Sequence, residues 1–177
     1  ILTVEVEGEY SVLAQYFGKL LLFLSLAIIQ AIIVALGDLY LLKIYCVNPG
    51  LFVAGIVFTS ITFTIIVYSL VSAFGNVGKA IGIVLLVLQV AGSGGTFPIQ
   101  LTPKFFQVIN PYLPFTYAVS MAREAIGGVV QSVLLKDIVV LIIYSSICMV
   151  VALFLKKPIG KLMHGFKESY EKSGIGE

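Results

Sequence analysis

Charge is what this chain has least of. Asp, Glu, Lys and Arg make up 11% of its 177 residues, against about 25% in a typical soluble domain. Residues 20–37, 44–78, 80–103 and 138–155 contain none at all. Uncharged windows of that length leave a helix no polar face, which excludes a soluble globular protein with an unusually apolar core. Histidine is nearly missing as well. His164 stands alone among basic residues near the end of the chain, where a solvated surface histidine is the plain reading. One histidine cannot build a catalytic metal centre, and no Ser-His-Asp, Cys-His or paired-carboxylate arrangement accompanies it. The two cysteines, Cys46 and Cys148, have no metal-ligand spacing and give no disulfide framework. Enzyme activity, a metal or a cofactor is therefore not expected. The net charge of +2 is thinly spread, so nucleic acid is not an expected partner either.

What the chain does have is apolar length. Hydrophobic residues are 59% of the total, and a helix that crosses a bilayer needs about 20 mostly apolar residues. Each uncharged window holds one such helix, because Asn48-Pro49-Gly50 is a turn signal that leaves a single helix after it. The expected architecture is all-α and polytopic, with four transmembrane helices at about 20–40, 50–74, 80–97 and 137–155. The lipid bilayer is thus the first partner.

The ends read differently. Val4-Glu5-Val6-Glu7 alternates like a short strand or extended linker, and Ile1–Tyr10 lacks the basic start of a signal peptide. From Ser11, the residues Val12, Leu13, Tyr16, Phe17 and Leu20 fall on one helical face, which predicts a short surface helix leading into the first span. Residues 1–19 are accordingly expected to be a cytoplasmic linker and interfacial helix, and 156–177 a cytoplasmic tail. Lys156-Lys157-Pro158 is expected to end the last span sharply. Lys156, Lys157, Lys161 and Lys167 follow that span and mark the cytoplasmic side, so both ends of the chain are expected inside. The chain reads as a piece of a longer protein whose start lies before Ile1.

Several motifs have both a plain and a functional reading. Gly75-Asn76-Val77-Gly78-Lys79-Ala80 resembles a phosphate loop, but the required glycine and hydroxyl positions hold Ala73 and Ala80; it is a turn. Gly78 and Gly82 are spaced to let two helices approach closely, within one subunit or across a dimer. Gln30 and Gln89 lie inside spans as hydrogen-bonding glue. The second span is rich in hydroxyls (Thr59, Ser60, Thr62, Thr64, Ser69, Ser72), which either bond back to their own helix or line a path. Asp38 falls near the outer end of its span, an interfacial position.

The most informative stretch is Ala91–Gly128, which holds four of the six prolines. Gly94 and Gly95 weaken the end of the third span, and Phe97-Pro98 turns the backbone. Pro103 starts a short helix that Asn110-Pro111 ends. A second short helix runs from Phe115 to Ile126 after Pro114, with Tyr117, Met121 and Ala125 on one face and Arg123 and Glu124 near its end. Gly127-Gly128 stops it. Neither helix is long enough to span. A proline-broken apolar segment at membrane depth is tolerated only where protein or a water-filled cavity covers its backbone. The expectation is an outer re-entrant pair over residues 98–128.

The wording SGGTFPI at Ser93–Ile99, FFQVINPYLPFTYAV at Phe105–Val119 and REAIGG at Arg123–Gly128 resembles the YhgE/Pip (phage infection protein) family of the ABC-2 type permease superfamily. In that superfamily a Phe-Pro after the penultimate span, an Asn-Pro beyond it and an arginine before the last span recur. Here those positions are Phe97-Pro98, Asn110-Pro111 and Arg123. The resemblance implies the last four spans of a cell-surface protein of a Gram-positive bacterium, placed in the plasma membrane. It implies export or secretion by a homodimer driven by a separate ATPase subunit. The alternative it leaves open is a membrane anchor and scaffold for a large extracellular region, serving phage adsorption or an EsaA-like role in type VII secretion, with no transport of its own. Arg123 and Glu124 are then either outer-gate residues or a pair anchoring their helix at the interface.

Overall fold

Long runs of Leu, Ile, Val and Ala without an internal breaker give long helices, and the computed structural model describes the backbone of residues 12–172 and the side chains of residues 14–155. The strand-like Val4–Glu7, the side chain of His164 and the basic cluster that begins at Lys156 lie outside the described residues. Within them every regular element is helical. These are α1 (Val12–Tyr40), α2 (Pro49–Phe74), α3 (Asn76–Gly92), α4 (Lys104–Ile109), α5 (Pro114–Gly127) and α6 (Gln131–Lys172), with 3-10 turns at Ile99–Leu101 and Asn110–Tyr112.

Helix α1 is unbroken from Val12, so the expected surface helix and first span form one element. Nothing between Ser11 and Leu20 stops a helix, since a lone Gly18 costs only about 1 kcal/mol. Tyr16 is fully buried; it packs against α2 and α6. Asn48 precedes Pro49 at the first position of α2, where a missing N–H costs nothing. Helix α6 runs on past Pro158 to Lys172, where a sharp end was expected. Proline removes one backbone donor, and a helix of 42 residues absorbs that single loss.

Only Gly75 separates α2 from α3. The third helix therefore begins at Asn76 and ends at Gly92, earlier at both ends than the expected 80–97. The tight turn brings the start of α3 onto the end of α2. A Cβ on Gly78 would lie 2.2 Å from the carbonyl oxygen of Leu70, so only glycine fits there without backbone movement.

Helix α2 is the centre of the bundle and packs against α1, α3, α5 and α6. Three apolar clusters hold it. Tyr16, Leu20, Ala73 and Ala152 close one end; Ala118, Met121 and Leu141 fill the middle; Ala35, Phe52 and Ala125 close the other. Small residues at these contacts let the backbones approach, as in membrane bundles generally.

The outward faces are apolar too. Leu21, Leu26, Ile33, Ile83, Val87, Val139 and Phe154 are all more than half exposed, a surface that water would not tolerate but lipid solvates. Ala14–Tyr40, Pro49–Phe74 and Gln131–Leu155 are long and apolar enough to cross a membrane. The apolar helix α3 has 17 residues, about 26 Å at 1.5 Å each.

Candidate functional site

Beyond Gly92 the chain folds into a small cap in which side chains bond to backbone groups at several joints. Ser93 is in the right-handed helical region, and Gly94 follows with φ +73°, a conformation that side-chain-bearing residues rarely adopt. This pair turns the chain off the axis of α3. Asn110 then holds the returning chain: its Nδ2 donates to the Gly92 carbonyl at 2.7 Å and to Thr116 Oγ1 at 3.1 Å. Thr116 in turn donates to the Asn110 carbonyl at 2.7 Å, and the Tyr117 hydroxyl to the Pro111 carbonyl at 2.7 Å. The Asn110-Pro111 and Pro114 positions thus do two jobs. The prolines set where each short helix starts, and the asparagine closes the carbonyl that the end of α3 leaves open.

Helix α5 is amphipathic and two-sided. Ala118, Met121 and Ala125 are buried against the bundle, whereas Thr116, Ser120 and Arg123, spaced four and three residues apart, share the opposite face. That face walls a cavity of about 550 Å³ whose other sides are Ser93–Gln100 and Asn110. Ser93 and Gly94 are buried and form its floor, while Gly95, Thr96, Phe97, Pro98 and Arg123 are exposed at its mouth. Arg123 crosses the opening to donate to the Gly94 carbonyl at 2.5 Å. Glu124 turns away and accepts from the Val130 amide. Adjacent helical residues do not face each other, so Arg123 and Glu124 serve two different contacts.

Two buried polar groups lie near this cap. Asp137 on α6 is 3% exposed, bonded by Ser120, with Oδ2 unpartnered. Gln89 on α3 is 7% exposed, and its Oε1 has no partner; it lies one turn before Ser93. From sequence Gln89 falls inside a span, whereas Asp137 stands beside Lys136 at the start of the expected 137–155 span. A carboxylate inside an apolar helix was the available signal. The polar stripe Thr116–Ser120–Arg123 was also legible at helical spacing but was passed over.

The remaining candidates are scattered. Gly78 sits in the α2–α3 contact, whereas nothing approaches within 4 Å of a Cβ built on Gly82. Gln30 is exposed and lines a separate, mostly apolar groove of about 640 Å³ between α1 and α2. Among the hydroxyls of α2, Thr62 bonds back to the Phe58 carbonyl at 3.0 Å. Ser60 instead donates across to the Ala27 carbonyl of α1 at 3.1 Å, and Ser69 pairs with the Tyr16 hydroxyl at 2.8 Å. Asp38 is half-buried at the end of α1. Among the described residues no cluster of His, Cys, Asp or Glu is arranged to hold a metal.

Three apolar helices of membrane length, a short fourth and a proline-built polar cap before the last helix describe a permease-like membrane block. The profile of a known family, described as ABC-2 family transporter protein, matches residues 9–154. The chain belongs to the ABC-2 transporter family. It is a multi-pass membrane protein. It is also similar to the "Uncharacterized protein YhgE" of Bacillus subtilis (strain 168), at 37% identity over 113 residues. That match takes in 64% of this chain but only 15% of YhgE. No solved structure matches the chain.

Proposed function

We propose that this chain is the membrane-spanning part of an export or secretion machine of the YhgE/Pip type, energised by a separate ATPase and working as a homodimer. The observation that carries this reading is the family match over nearly all of the bundle. The cap is its natural gate. Its cavity lies beside the end of α3, and its joints are a glycine in a left-handed conformation and a single asparagine side chain.

In this reading α3 is the fourth crossing, short because the polar cap begins at Ser93, and residues 98–128 dip into the membrane from the outer side. Both ends of the described bundle then face the cytoplasm, in the plasma membrane of a Gram-positive cell. Support comes from Tyr16 near the start of α1 meeting Ala152 near the end of α6, and from the Bacillus origin of YhgE. Cysteines placed at Lys104 and Lys161 of the full-length protein test the topology in intact cells. An impermeant thiol reagent is expected to reach position 104 alone; reaction at 161 alone reverses the orientation.

Purification of the full-length protein from its own host, with crosslinking, is expected to bring an ATPase, and inactivating that ATPase is expected to stop export. Growth and secretion unchanged by its loss overturn the energised reading. One observation favours a scaffold instead: most of YhgE lies outside the part this chain matches. Removing the region outside the membrane block separates the two readings, since a scaffold loses its function completely and a permease keeps ATP-dependent transport.

A further inference from the structure

We infer that the cavity beneath α5 is a binding site for an oxyanion, the phosphate or carboxylate group of an amphiphile, with Arg123 as its principal ligand. The argument starts from the charge of the lining. Among the described residues Arg123 is the one ionised residue in the cavity wall. The nearby carboxylates are kept out of it. Glu124 is occupied by the Val130 amide, and Asp137 is buried behind Ser120 and does not line the cavity. Any ion in the cavity would therefore meet one positive charge and no negative one in the described wall, which repels a cation and attracts an anion.

The donors fit the same chemistry. A guanidinium carries five N–H groups in a planar fork suited to paired oxygens. Among the described residues Arg123 makes one hydrogen bond, to the Gly94 carbonyl, which aims the fork across the mouth and leaves the rest of it unused. The Thr96 hydroxyl borders the same cavity, while that of Ser120 is committed to Asp137. A neutral partner would leave the arginine uncompensated at the edge of an apolar medium, where an unpaired charge is expensive.

Size and surroundings point to an oxyanion with an apolar body. About 550 Å³ is in the range of small-molecule pockets and exceeds what a bare phosphate fills. Phe97 at the mouth is 68% exposed, and Leu101 at 78% and Phe105 at 59% follow it in the same segment. A lipid headgroup seated on Arg123 would cover this apolar shoulder with its chains. A free phosphate would use the same ligands without covering it. The inference concerns binding alone and does not depend on whether the chain transports anything.

The test uses the full-length protein in a neutral detergent and reads bound lipid by native mass spectrometry. Phosphatidylglycerol is compared with a glycosyl diacylglycerol of equal chain length, which has a polar head but no phosphate, and inorganic phosphate is added as competitor. The expected result is a preference for phosphatidylglycerol of about tenfold, the size of one charge-assisted hydrogen bond. Arg123→Gln is expected to abolish that preference and Arg123→Lys to keep part of it. Because Arg123 also braces Gly94, Thr96→Glu provides a variant that leaves the brace intact; its added charge at the exposed mouth is expected to remove the preference too. Displacement of the lipid by millimolar phosphate, lost in Arg123→Gln, supports the oxyanion site with free phosphate as its source. Equal retention of both lipids with no effect of phosphate overturns the inference. So does a preference that survives Thr96→Glu and whichever Arg123 variants fold.

Discussion

The end of the bundle that holds Tyr16 and the end that holds Arg123 are closed by different physics. At the first, side chains do the closing. The Tyr16 hydroxyl pairs with Ser69, Tyr68 reaches the Tyr16 carbonyl at 3.0 Å, and the two rings meet edge to face at 4.9 Å. Leu20, Ala73 and Ala152 fill what remains, and α3 is pressed onto α2 at Gly78. At the second, Ala35, Phe52 and Ala125 still pack together, but the cap beside them is held one backbone group at a time: Gly92 by Asn110, Gly94 by Arg123, Ala125 by Asn48. A packed end has many small contacts, so losing one loosens it little. An end held by single hydrogen bonds can be released by breaking one of them. The difference accords with the export reading proposed above, which needs a fixed base and a cap that opens.

Substitutions test that contrast, and the largest effect is expected at the base. Gly78→Leu forces side-chain atoms into the Leu70 backbone and is expected to cost about 3 kcal/mol, the upper part of the overpacking range, read as loss of folded protein in a detergent unfolding series. Asn110→Ala leaves the Gly92 carbonyl without a partner. It is expected to cost about 2 kcal/mol and to raise hydrogen exchange at Ser93–Gly95 while leaving the Tyr16 end protected. Exchange rising equally at both ends would erase the distinction. Tyr16→Phe keeps the ring and removes the hydroxyl, for about 1 kcal/mol, with no change in exchange at the cap. Gly82→Ala adds a methyl where nothing is near and is expected to stay within about 0.5 kcal/mol of wild type. A large loss there would mean that Gly82 faces a second copy of the chain.

Much of this arrangement was legible because its causes are local. The uncharged windows located the long helices, and Pro103, Asn110-Pro111, Pro114 and Gly127-Gly128 set the short ones to within a residue or two. What escaped depends on tertiary contact. The single-residue turn at Gly75 starts α3 at Asn76, ahead of the uncharged window that opens at Ala80, because Gly78 lies close on the Leu70 backbone and Lys79 is carried within the helix. Periodicity marked Tyr16 and Leu20 as one apolar face, but only the tertiary contacts show that this face is covered by α2 and α6 and not by the membrane surface. Asp137 looked like an ordinary helix-start charge until Ser120 and the α5 seam enclosed it. The roles of Ser60 and Ser69 differ from that of Thr62 only in what lies opposite each of them.

The link between the α1–α2 loop and α5 has a mechanical consequence. The amides of Val47 and Asn48 donate to the carbonyls of Ile126 and Ala125, at 3.2 and 3.1 Å, and the Cys46 thiol adds a bond to Ala125 at 3.3 Å. These carbonyls belong to the last turn of α5, which a helix leaves without internal partners, so the loop completes the helix end as a splice completes a rope. Any tilt of α5 must then drag the loop with it, and the loop is the root of α2. Strain applied at Arg123 would thus reach the root of α2 through this loop as well as through the direct packing of α5 on α2 and α6.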